Sequence, residues 1–197
     1  SSSVVHGLSA WPALLAAAKE RFAGELAALP APRVAVLIGG SNRVFNMTPA
    51  VAEGLAARLA ALCAQGAGLM VTASRRTGTE NEAVLRRALA PAVAAAKAVF
   101  WQGDGENPYF GYLGWADAAV VTGDSVNMLS EANAAGLPTH VVELEGGSPK
   151  FRRMLDGFYT DGAARRFTGD LAFWSPPRDN AACVVANEIR RRVKAKG

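Results

Sequence analysis

Short apolar runs recur along this chain, each followed within a few residues by a stretch of helical spacing. That alternation restricts its possible folds more than any other feature. The clearest run is Arg33-Val-Ala-Val-Leu-Ile38, closed by Gly39-Gly40. Leu69-Met-Val-Thr72, Ala98-Val-Phe-Trp101, Ala118-Ala-Val-Val121 and the run from Thr139 to Glu143 follow it. Runs of four to six residues without polar alternation are what strands covered on both faces of a parallel sheet look like. Strand alternating with helix predicts an α/β fold: a Rossmann-like parallel sheet with helices on both faces. In such sheets ligands bind beyond the carboxyl ends of the strands, so function belongs to the loops that follow each apolar run.

The intervening stretches carry helix signals. Residues 12–29 place Leu14, Leu15, Ala18, Phe22, Leu26 and Leu29 at helical spacing between Pro12 and Pro30. Thr48-Pro49 opens a helix that Gly66 stops, and Thr79-Glu-Asn-Glu82 reads as a capping box for a helix ending near Pro91. Shorter helices are predicted over 109–116 and 125–135, the latter stopped by Gly136 and Pro138, and another opens at Ser148-Pro149. A last helix is predicted over 179–193, with basic residues in its final turn.

Composition narrows the function classes. With a formal charge of +4 and a sequence pI near 9.4, a nucleic-acid role comes to mind. The basic residues come in scattered pairs, however, without the aromatic interleaving of a nucleic-acid surface, and a small diphosphate would suit such pairs. Cys63 and Cys183 lie far apart in helical patterns without metal-ligand spacing, which points to packing and a reducing compartment. No metal site is expected. His6 and His140 have no nucleophile or carboxylate at a recognisable spacing, and His140 reads as a packed strand histidine. Lys97 interrupts the longest apolar stretch, so no membrane-spanning segment is expected. The opening Ser1-Ser2-Ser3-Val4-Val5 has neither Met nor a signal-peptide layout, and is taken to mean that part of the natural chain is missing.

Four loops are candidates for chemistry. Gly39-Gly40-Ser41-Asn42 combines two glycines that admit a close ligand with two hydrogen-bonding side chains, or forms an ordinary tight turn. Thr72-Ala73-Ser74-Arg75-Arg76-Thr77 places adjacent guanidinium groups, flanked by hydroxyls, at the sheet's mouth, where they suit phosphate oxygens or form a solvated pair on a surface loop. In Gly123-Asp124-Ser125-Val126-Asn127, the glycine permits a sharp turn and Asp124 or Ser125 caps a helix, so that first-turn amides face the cleft. Glu131 follows about one and a half turns later, where a carboxylate would accept a ribose diol or simply face solvent. Finally, Gly146-Gly147-Ser148-Pro149-Lys150 sets positive charge at a helix start, against the dipole, which suits either an anion site or an exposed domain surface. The 103–108 stretch, Gly-Asp-Gly-Glu-Asn-Pro, lacks the third glycine of a dinucleotide fingerprint and reads as a turn, with Asn107 and Tyr109 left as possible ligand contacts.

The stretches Leu37-Ile-Gly-Gly-Ser-Asn42, Val71-Thr-Ala-Ser-Arg-Arg76, Val121-Thr-Gly-Asp-Ser-Val-Asn-Met-Leu-Ser-Glu-Ala132 and Gly146-Gly-Ser-Pro-Lys-Phe-Arg-Arg153 carry a resemblance. The chain from Arg33 onward resembles the C-terminal part of the mitochondrial fission protein family of the elongated-mitochondria type, whose bacterial members are labelled nucleoside-diphosphate-sugar epimerase-like. More distantly, Gly39-Gly40-Ser41, Ser130-Glu131 and Gly136-Leu137-Pro138 are similar to the donor-binding domain of the peptidoglycan N-acetylglucosaminyltransferase.

The resemblance implies the C-terminal domain of a two-domain, GT-B-type glycosyltransferase-like architecture. Residues 1–30 would be a connector helix from a missing N-terminal domain, and residues 31–197 a nucleotide-sugar-binding-like domain. Glu131 would hold the ribose and the helix-start amides the diphosphate, with Arg75, Arg76 and Lys150 neutralising the leaving group. The catalytic base is assigned to no residue here and would come from the missing domain. No cofactor is expected beyond a nucleoside-diphosphate sugar as donor substrate. The sequence departs from the transferase pattern at Asp124, an acidic residue where a phosphate would approach. The alternative implied by the family is a non-catalytic adaptor that keeps the fold and recruits partners. The expected setting is the bacterial cytoplasm, with peripheral membrane association open and no specific nucleic acid as partner.

Overall fold

The computed structural model describes residues 3–177; the helix expected over 179–193 and Cys183 lie outside them. Six strands form one parallel sheet: β1 (Arg33–Ile38), β3 (Gly68–Ala73), β4 (Ala98–Phe100), β5 (Ala118–Thr122), β6 (Thr139–Val142) and β8 (Ala164–Arg166). Their spatial order is β4-β3-β1-β5-β6-β8, the doubly wound Rossmann order in which the chain reverses direction beside its first strand. The reversal lies between β1 and β5, whose registers pair Val34 with Ala118 and Leu37 with Val121. A short antiparallel ribbon of β2 (Phe45–Asn46) and β7 (Glu145–Gly146) ties the loop after β1 to the loop after β6.

The apolar runs are buried on both faces, as expected of a sheet sandwiched by helices. One core gathers Val34, Val36, Leu69 and Val71 under α3 (Pro49–Ala64) and α4 (Thr79–Ala94). The other gathers Leu37, Met70, Val121 and Val141 under α2 (Ala23–Leu26), α5 (Tyr109–Trp115) and α6 (Val126–Ala134). The helix α7 (Pro149–Thr160) lends Phe151 to the first core, and Leu155 and Phe158 to the second.

Several helix boundaries differ from the sequence reading. The first helix, α1 (Ser3–Arg21), does not begin at Pro12 but carries it inside, on the exposed side. It then breaks near Phe22, before α2. The α4 helix starts without the expected box: Gly78 precedes it, and the reciprocal capping bonds belong to Ser74 and Thr77 around a 3-10 turn. Pro91 does not end α4 at once but sits in its last turn, and the helix closes three residues later at Ala94. Thr48 caps α3 as expected, accepting from Val51 N at 3.2 Å.

His140 is a packed histidine. Its Nδ1 donates to Ala119 O at 3.0 Å, and its Nε2 accepts from Ala172 N at 2.9 Å. It thereby pins the stretch after β8 against the sheet, with Phe167 and Trp174 edge-on to the ring. Burial pushes its pKa down, and the Arg165 charge acts in the same direction. Cys63 is buried in α3 and its thiol pKa is pushed up by that burial.

Candidate functional site

The loops after β1, β3 and β5 meet at the reversal point, and hydrogen bonds stitch them together. Gly39 N donates to Thr122 Oγ1 at 2.8 Å, and Gly39 O accepts from Ser74 Oγ at 3.1 Å and from the Thr77 hydroxyl. Gly40 N donates to Asp124 Oδ2 at 3.1 Å, while Ser41 N donates to Arg76 O at 3.0 Å. The same Asp124 oxygen receives Arg76 Nη2 at 2.8 Å; the carboxylate is fully enclosed, whereas the arginine side chain is 42% exposed. Asp124 Oδ1 is buried without a hydrogen-bond partner among the described residues.

This arrangement gives the two glycines a use the sequence did not suggest. A Cβ on Gly39 would lie 2.2 Å from Asp124 Oδ2, and one on Gly40 would lie 2.1 Å from Arg76 O. Both positions lack a side chain because other parts of the same chain occupy the space. Asp124 does not cap α6. Ser125 does, accepting from Met128 N at 3.3 Å. Asp124 turns inward instead, as an internal anion in the seat formed by the Gly40 amide and Arg76.

Other expected residues divide into structural and open ones. Asn42 is taken up locally, its Oδ1 accepting from Val44 N at 2.9 Å and Phe45 N at 2.8 Å. Ser41 Oγ accepts from Met47 N at 2.9 Å and faces Asn46 Oδ1 at 3.3 Å. Gly123 N bonds Val142 O at 2.9 Å, holding the turn to β6. The amides of Val126 and Asn127, by contrast, donate to no acceptor among the described residues. Arg75 is exposed on the same rim without an ion pair among those residues. Glu131 is half-buried in the second turn of α6. Lys150 is exposed at the start of α7, behind the Ser148 cap and next to the β2–β7 ribbon. Asn107 Oδ1 is used by Tyr109 N at 3.0 Å. No group of three or more metal-ligating side chains occurs among the described residues, and no described helix is long and apolar enough to cross a membrane.

Sequence reasoning missed Thr122 and Thr77, which close the cradle around Gly39. Their signal was a hydroxyl at the end of an apolar run and another flanking the arginine pair.

The sequence profile of the mitochondrial fission ELM1 family matches residues 4–193. The chain belongs to that family. A curated ELM1 relative, "Mitochondrial fission protein ELM1" of Arabidopsis thaliana, is 34% identical over 176 residues, which make up 88% of this chain. The chain spans about 40% of that ELM1 protein's length. The expected bacterial cytoplasmic setting is corrected by this finding, since the matched ELM1 protein is a plant protein named for mitochondrial fission. The Gly39–Asp124 junction described above therefore lies within the part of an ELM1 chain that the family profile covers.

Proposed function

We propose that this chain is the nucleotide-sugar-binding domain of a glycosyltransferase-like ELM1 protein, one wall of a GT-B-type cleft. The observation that carries the reading is the pair of amides, Val126 and Asn127, that have no acceptor among the described residues, at the start of α6 and beside the sheet's reversal point. Helix-start amides favour an anion through both their hydrogens and the helix dipole. Arg75 stands on the same rim without an ion pair among the described residues, and Glu131 follows in the second turn, where it would accept ribose hydroxyls. Because Asp124 already takes the Gly40 amide and Arg76, the diphosphate would sit on the α6 side, with Lys150 contributing from α7. The acceptor side and the catalytic base would come from a second domain, to which residues 1–30 would connect.

The same internal ion pair favours a second reading. A seat filled by the chain's own carboxylate suits a protein that keeps the transferase fold and works as an adaptor, in keeping with the fission role in the relative's name. Calorimetric titration of the chain with uridine, guanosine and adenosine diphosphates separates the two. Binding of one of them, weakened by salt and by Glu131→Ala, supports the nucleotide reading; failure of all three at millimolar concentration favours the adaptor.

A further inference from the structure

A cleft of about 410 Å³ opens beyond β4, between the end of α1 and the 101–108 loop. None of its lining residues belongs to the β1, β3 or β5 loops, so it is separate from the junction around Gly39. Phe22 and Trp101 line it, with the β4 residues Val99 and Phe100. The Trp101 ring is held in place by its Nε1, which donates to Asp104 O at 2.9 Å. At the floor lies Tyr112, a residue only 2% exposed, whose hydroxyl has no hydrogen bond among the described residues. Unlike the fully enclosed polar atoms that lack partners, that hydroxyl reaches the cleft. Burial and the neighbouring Glu25 charge push its pKa up, so the phenol stays protonated and neutral.

The rim is acidic. Among the described lining residues, Glu25, Asp104 and Glu106 stand with one cation, Arg21, and that guanidinium is already paired with Glu106 at 2.7 Å. The exposed carboxylates of Glu25 and Asp104 have no ion-pair partner among the described residues. One of the chain's own guanidinium groups already lies by this surface: Arg21 Cζ is 6.0 Å from the Phe22 ring centroid.

We propose that this cleft binds an organic cation, a guanidinium or alkylammonium group on a short aliphatic stem. Glu25 and Asp104 supply the counter-charge, Trp101 the ring surface, and the Tyr112 oxygen a hydrogen-bond acceptor at the end of the cleft. Each element suits such a group: aromatic faces attract cations, carboxylates match their charge, and the apolar walls cover the stem. A phosphate-bearing ligand is opposed by the same rim. The inference is independent of the nucleotide reading, because it uses none of the same residues.

The test is calorimetric titration of the 197-residue chain with agmatine at low salt, which should give saturable one-to-one binding. The Glu25→Gln/Asp104→Asn double variant should weaken it about fivefold, as expected for two partly exposed ion pairs. Both positions are at the surface, so the fold is retained. Tyr112→Phe keeps the ring and its packing, and should weaken agmatine by about threefold or more. The neutral analogue pentylurea should bind about tenfold more weakly than agmatine. If pentylurea binds as well as agmatine, or the double variant leaves affinity unchanged, the proposal is overturned. Uridine or adenosine binding with the same Tyr112 dependence also overturns it. A short arginine peptide assigns the source: markedly tighter binding than agmatine identifies the occupant as a partner's basic side chain, and equal binding a free amine.

Discussion

Gly39→Ala tests whether the cradle glycine exists to admit the chain's own carboxylate. The new Cβ would stand 2.2 Å from Asp124 Oδ2, well inside the 3.0 Å that real Cβ contacts respect, so the fully enclosed carboxylate must move. Overpacking of this kind costs about 1–3 kcal/mol, and displacing the carboxylate also weakens its bonds to Gly40 N and Arg76. Asp124→Ala alone should cost about 2–4 kcal/mol, kept below the full value for a buried pair because Arg76 can turn to water. In the Asp124→Ala background the clash partner is gone, and Gly39→Ala should then cost less than about 1 kcal/mol. The double-mutant cycle should therefore show a coupling of about 2 kcal/mol. For a chain of this size that is roughly 4–8 °C in the midpoint of thermal unfolding. Urea and thermal unfolding of the four proteins provide the measurement. Additive costs within about 0.5 kcal/mol would refute the reasoning and return Gly39 to the role of a ligand-side glycine.

Three further outcomes are expected. Arg75→Ala should weaken nucleoside-diphosphate binding by roughly tenfold with little change in stability, whereas Arg76→Ala should lower the unfolding midpoint as well, which paired titration and melting curves will reveal. The His140 pKa is depressed in the fold, so the unfolded chain takes up its proton first, near the ordinary value of 6.5. Stability should therefore fall as pH drops below that value, and the urea midpoint of His140→Gln should lose this part of the pH dependence between pH 7 and 5. Leu59→Ala, at a fully buried position under the sheet, should cost about 2–5 kcal/mol in urea unfolding and leave nucleotide binding intact.

The sheet's strands were legible where burial on both faces makes a continuous apolar run, as in β1 and β5. The edge strand β8 was not, because Arg165 and Arg166 are exposed and interrupt any apolar signal. The two-residue strands β2 and β7 exist only through their pairing with each other, which no local pattern announces. Pro12 misled because a proline at that spacing reads as a helix start, whereas the helix runs through it with its ring exposed. At the site, the motifs showed which loops meet. They could not show that Asp124 reaches back 84 positions to Gly40, since its neighbours in sequence suggested a helix cap. Ser125 was the other cap candidate, and its bond to the Met128 amide decides between the two.

The Nε2 of His140 that receives Ala172 N has a consequence beyond packing. Ala172 lies in a stretch without helix or strand, where solvent deuterium would be expected to replace backbone hydrogens within moments. Its amide is instead held by a side chain anchored in the middle of a buried strand, so it should exchange slowly, opening only when β6 does. Around neutral pH, a single slow amide there would mark an irregular segment that shares the protection of the sheet's interior.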